Sequence, residues 1–134
     1  MARMWRVSGT EIARLLYREV AKHALAKNNQ IGYFTRMEKG VPHCKLPLIV
    51  ALIEAGKVRS TMSALAGGAA LGFDFEGIIG VVKALVSTDF YKSMTTHADH
   101  RIWQDVYQPT TVAGPVYLKL TVVDDLLVVS FKEL

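Results

Sequence analysis

The stretch Thr88-Asp89-Phe90-Tyr91-Lys92-Ser93-Met94-Thr95-Thr96, followed closely by Asp99-His100-Arg101-Ile102-Trp103-Gln104-Asp105-Val106-Tyr107, decides the fold of this 134-residue chain. It mixes aromatic, amide, hydroxyl and basic side chains in strand-like sequence, where successive residues point to opposite faces. Such a pattern is a poor way to build a purely apolar core and a good way to build a polar platform on a sheet. Strand-like runs fall at about 89–95, 102–108, 115–123 and 126–132. Gln108-Pro109-Thr110-Thr111 makes a turn before the third, and Asp124-Asp125 is a short polar junction consistent with a hairpin. Consecutive strands joined by short connections pair antiparallel.

The sequence ahead of the strands reads as helical. From His43 to Ala55 apolar residues recur densely (Leu46, Leu48, Ile49, Val50, Leu52, Ile53) and stop at Gly56, as a buried helix with a glycine terminus does. Lys57 to Arg59 fits a short strand. Ser60-Thr61-Met62-Ser63 offers cap residues for a second helix through about Leu71, with Gly67-Gly68 weakening its middle. Asp74 opens a third, with Ile78, Ile79, Val82 and Leu85 on one face. The expected class is α+β, with helices packed on one face of an antiparallel sheet.

Residues 1–36 form a separate segment. Ser8-Gly9-Thr10-Glu11 has capping-box spacing, Ile12, Leu15, Leu16 and Val20 follow helical periodicity, and Asn28-Asn29 is a stop. Arg14, Arg18 and Lys22 make a basic stripe, so a basic helical extension is expected over 1–36 and a self-sufficient domain over 37–134. The net charge of +4 divides accordingly: seven Lys/Arg against Glu11 and Glu19 give +5 in the extension, leaving −1 for the rest. Bulk charge therefore does not mark 37–134 as a nucleic-acid binder.

A length of 134 residues with 51% hydrophobic content supports a real core. Cys44 is the single cysteine, which excludes an internal disulfide and points to a reducing cytoplasm. The apolar run Leu46 to Ile53 is broken by Pro47 and too short to span a bilayer, so no membrane segment is expected. His97, Asp99 and His100 cluster, but three neighbours in one loop lack the distributed ligands of a stable metal site.

Residues 89–107, read with Gly114-Pro115-Val116-Tyr117-Leu118-Lys119-Leu120-Thr121-Val122 and Val128-Val129-Ser130-Phe131-Lys132-Glu133, resemble the MqsR family of bacterial toxins. Met37-Glu38-Lys39, Ala55-Gly56-Lys57-Val58-Arg59-Ser60-Thr61 and Leu71-Gly72-Phe73-Asp74-Phe75-Glu76-Gly77 extend the likeness across 37–134. The resemblance implies a RelE-like ribonuclease fold and a type II toxin that cleaves mRNA without a metal or other cofactor. It places the family's proposed active-site residues on Lys92, Gln104, Tyr117 and Lys132. Its implied partners are mRNA and a cognate antitoxin with zinc-binding and helix-turn-helix domains, through which alone DNA is reached.

Chemistry accommodates that reading. RNA carries its own nucleophile, the 2′-hydroxyl, so alignment, proton transfer and fixed cations suffice for cleavage. Lys92 and Lys132 would hold or neutralise the scissile phosphate, with one of the two as a candidate proton carrier, Tyr117 would stack on a base or act as an acid, and Gln104 would hydrogen-bond phosphate or base edge. Strand parity puts Tyr117, Lys119 and Thr121 opposite Val116, Leu118, Leu120 and Val122, and Ser130 and Lys132 opposite Val129 and Phe131. Arg101, Lys119 and His100 are the expected further RNA contacts, while Trp103 and Tyr107 are read as core or interface aromatics. The alternative function is a catalytically inactive toxin-like module that binds the antitoxin and co-regulates transcription.

Overall fold

The computed structural model describes residues 37–134, so the helix expected within 1–36 lies outside the described residues. The order is β1 (Glu38–Lys39), α1 (Leu46–Glu54), β2 (Val58–Ser60), α2 (Met62–Ala70), α3 (Phe75–Lys83), a 3-10 turn (Ser87–Asp89), β3 (Phe90–Thr95), β4 (Trp103–Tyr107), β5 (Thr110–Thr111), β6 (Gly114–Val123) and β7 (Asp125–Glu133). The sheet runs β1-β3-β4-β6-β7-β2, with β5 paired to β6. All four expected strands are present within a residue or two of their expected ends.

One pairing departs from the antiparallel expectation: β2 lies parallel to β7, with Arg59 opposite Leu127. The chain reaches β7 only after crossing α2, α3 and three central strands, so no short turn constrains its direction. The fold is α+β, with three helices among the described residues packed against a largely antiparallel sheet.

Local sequence explains each helix. Gly56 follows α1 at φ +74, and the Lys57 amide returns to the Leu52 carbonyl at 2.8 Å, a glycine-dependent C-terminal cap. Asp74 caps α3 by accepting the Gly77 amide at 2.7 Å, and Thr61 caps α2 by accepting that of Ala64 at 3.0 Å. Gly67, expected to weaken α2, has a packing reason: a Cβ there would collide with the Phe131 carbonyl, so glycine lets α2 lie directly on β7.

Ile49, Ile78, Val82, Leu118, Leu120, Val128 and Phe131 form the centre of the core between helices and sheet. Among the described residues no single helix is long and apolar enough to cross a membrane.

Candidate active site

The register decides which side chains share the sheet face turned away from the helices. Lys92 sits opposite Val106, which sits opposite Lys119, and Lys119 opposite Ser130. Met94 pairs with Gln104 and Glu38, and Tyr117 with Lys132. Lys92, Gln104, Tyr117 and Lys132 are thus carried by four strands onto one face, with Lys119 among them. Leu118, Leu120 and Tyr107 alternate to the buried side.

Two irregularities make this possible. The β3–β4 register shifts between Phe90 and Lys92, and the β6–β7 register between Lys119 and Leu120. In regular alternation Phe90 and Lys92 would share a face, as would Val128 and Ser130. The extra residues, Tyr91 and Val129, reverse the parity, so Phe90 and Val128 enter the core while Lys92 and Lys132 turn outward.

Simple strand alternation puts Val129 on the core face with Phe131. The residue there is Val128, fully buried opposite Leu120, and Val129 is the bulged one. Its carbonyl accepts the Thr61 hydroxyl at 2.9 Å, so the residue that caps α2 also holds the bulge.

Tyr117 is flanked by cations, with Lys132 Nζ 5.2 Å and Lys119 Nζ 5.8 Å from its ring centroid. At partly exposed sites such contacts contribute about 0.5–1 kcal/mol each, enough to bias the lysine rotamers toward the ring. Lys92 Nζ lies 2.8 Å from Glu38 Oε2 and 5.4 Å from the Tyr91 ring. The site is a band of five lysine, tyrosine and glutamine side chains with one carboxylate at the β1 edge.

Residues 41–133 match the family described as motility quorum-sensing regulator, toxin of MqsA. The chain belongs to the MqsR toxin family. Over 97 residues it is 56% identical to the mRNA interferase toxin MqsR of Escherichia coli (strain K12), covering 72% of this chain and 99% of that relative.

Not every expected contact residue joins the band in this MqsR-family chain. Arg101 and His100 sit in the β3–β4 loop, beyond the last paired residues Thr95 and Trp103. Arg101 turns its fork onto Asp99, with Nε to Oδ1 and Nη2 to Oδ2 both 3.0 Å, although its side chain is 66% exposed. The Thr96 hydroxyl accepts the Asp99 amide and donates to the Asp99 carbonyl, closing the same loop. The Asp99 carboxylate, nearly fully buried, is thereby a loop organiser. No group of three His, Cys, Asp or Glu side chains converges as a metal set among the described residues.

Asp105 was not singled out by the sequence pattern and proves structural. Its carboxylate lies on the helix side, where it accepts the backbone amides of His43 and Cys44 at 2.9 Å each and the Ser93 hydroxyl at 2.6 Å. These bonds pin the loop between β1 and α1 to the sheet. Burial first, and then the Asp105 charge, pushes the Cys44 thiol above its ordinary range. The same two causes, in the same order, push the Tyr107 phenol up; its hydroxyl is buried with no hydrogen-bond partner among the described residues. Trp103 is a surface aromatic as well as a packing one: the His43 ring stacks on it at 5.3 Å, and Lys39 Nζ lies 4.2 Å from its centroid.

Proposed function

We propose that this protein is the toxin of a type II toxin–antitoxin pair, a metal-independent endoribonuclease that cleaves mRNA in the cytoplasm and so halts translation. The observation that carries the reading is the convergence of Lys92, Gln104, Tyr117, Lys119 and Lys132 on one sheet face, in a chain 56% identical to an mRNA interferase.

A single RNA strand laid across this face would meet cations for its phosphates, a tyrosine ring for a base and an amide for a base edge or phosphate. In-line attack of the 2′-oxygen breaks the P–O5′ bond, leaving a 2′,3′-cyclic phosphate and a 5′-hydroxyl. Lys92 and Lys132 neutralise the charge that grows on the phosphoryl oxygens, and Gln104 orients the strand. Arg101 and His100 extend the RNA path past the hairpin end. The partner is an antitoxin with a zinc-binding domain and a helix-turn-helix domain, the latter providing the route to DNA.

The test is cleavage of a defined RNA by the purified full chain in excess EDTA. The expected result is undiminished cutting with 2′,3′-cyclic phosphate termini. Activity lost in EDTA and restored by a divalent cation would overturn the mechanism. A well-expressed, soluble protein that neither cuts RNA nor arrests growth would favour the inactive antitoxin-binding module.

A further inference from the structure

We propose that Glu38 is the general base that removes the proton from the attacking 2′-hydroxyl, an assignment that rests on the endoribonuclease reading above. Cleavage needs an acceptor for the 2′-proton and a donor for the departing 5′-oxygen. The side chains gathered on the open face are well supplied with donors. An ammonium, a phenol, an amide and a hydroxyl all carry protons to donate. Lys92, Gln104, Tyr117, Lys119, Ser130 and Lys132 thus give this face many donors, and a carboxylate beside them is its natural acceptor.

Among the described residues the register sends two carboxylates to that face, Glu38 and Asp125. Asp125 stands at the tip of the β6–β7 hairpin opposite Val123, paired with Arg59 at 2.8 Å. Six residues of β6 separate Val123 from Tyr117, roughly 20 Å of strand. Glu38 instead lies directly on the band: β1 sets it opposite Met94, and its Oε2 is 2.8 Å from Lys92 Nζ. The side chain is 48% exposed.

The placement also suits in-line displacement, which puts the attacking and departing oxygens on opposite sides of phosphorus. Lys92 and Lys119 face each other across Val106, two strand spacings or about 10 Å apart at the backbone. Glu38 stands at the Lys92 end, and Lys119, Tyr117 and Lys132 at the other. The 2′-proton passes to the Glu38 carboxylate, the 2′-oxygen forms its bond to phosphorus, and the 5′-oxygen leaves with a proton from the Tyr117–lysine cluster. Lys92 bridges carboxylate and phosphate, keeping the base beside the oxygen it serves.

The experiment compares the full chain with Glu38→Gln and Glu38→Asp, reading kcat and KM against pH on a short RNA. A second substrate carries sulfur in place of the scissile 5′-oxygen, a leaving group that needs no proton. For Glu38→Gln the expected result is a fall in kcat of about 10²–10⁴-fold, loss of the acidic limb of the pH profile, and an unchanged thermal midpoint. Its defect should persist with the sulfur substrate, whereas that of Lys132→Ala should be relieved; Glu38→Asp should recover part of the rate and the acidic limb. Glu38→Gln cutting at the wild-type rate or faster, or keeping the acidic limb, would overturn the assignment while leaving the endoribonuclease reading intact. A wild-type chain that makes no cyclic phosphate would instead remove the reading itself.

Discussion

The two faces of this sheet are built from the same strands yet held by different physics. On the helix side Val116, Leu118, Leu120, Val128 and Phe131 are all essentially inaccessible to water, and the stability lies there. On the other side Lys92, Gln104, Tyr117, Lys119 and Lys132 keep partial contact with solvent and crowd like charges together. One face is organised by apolar packing against the helices, and the other sets cations and polar side chains around the buried Met94, Val106, Thr121 and Leu127. Folding and chemistry should therefore separate by strand parity, and substitutions can test how cleanly.

The largest expected effect is on the open face. Lys132→Ala should lower the cleavage rate by about 10²–10⁴-fold, equivalent to about 3–5.5 kcal/mol of transition-state stabilisation, with thermal unfolding essentially unmoved. A fall in unfolding temperature comparable to that of a core variant would break the comparison. Next, on the buried face, Leu118→Ala should cost about 2–5 kcal/mol in denaturant unfolding, while the protein that remains folded cleaves RNA normally. A specific activity that falls in step with stability would show that the faces are not independent.

Thr61 joins the two. Its hydroxyl caps α2 and donates to the carbonyl of the bulged Val129, so Thr61→Ala should cost about 1 kcal/mol through the cap. It should also reduce cleavage without removing any candidate catalytic side chain, because the bulge that aims Lys132 loses a restraint. Full activity in that variant, measured well below its unfolding temperature, would show that the β6–β7 ladder alone sets the register.

The smallest effect concerns the buried hydroxyl. The Cys44 and Tyr107 pKa values are raised in the folded state, so their contribution to stability is complete below the unfolded values of about 8.5 and 10 and is lost as pH rises past them. Stability should hold through neutral pH and decline above about pH 9. Tyr107→Phe removes a donor that has no partner among the described residues, and should change neutral stability by under about 1 kcal/mol while making the alkaline decline shallower. Urea midpoints at pH 7 and pH 10.5 measure both.

Legibility followed the same division. The alternation of Val116, Leu118, Leu120 and Val122 announces a strand with one wet face, and Gly56 and Asp74 announce helix ends, because these signals are local. The parity of β7 was not readable, since Leu126-Leu127-Val128-Val129 is apolar throughout and hides the position of the extra residue. Glu38 belongs to a two-residue strand whose partner lies more than fifty positions away, and Asp105 reveals its role only when the loop at 43–44 folds over it. Those assignments depend on contacts distant in sequence, which no window of neighbouring residues contains.

The bulges at Tyr91 and Val129 mean that the two lysines are addressed by counting as much as by identity. Straightening the β7 bulge with Val129 still in the strand would leave every functional residue in the chain and still swap the stripe: Ser130 and Lys132 would turn toward the helices and Phe131 toward solvent. A protein arranged this way tolerates many exchanges of one side chain for another in these strands, yet a gain or loss of a single residue acts on it as a frameshift acts on a gene.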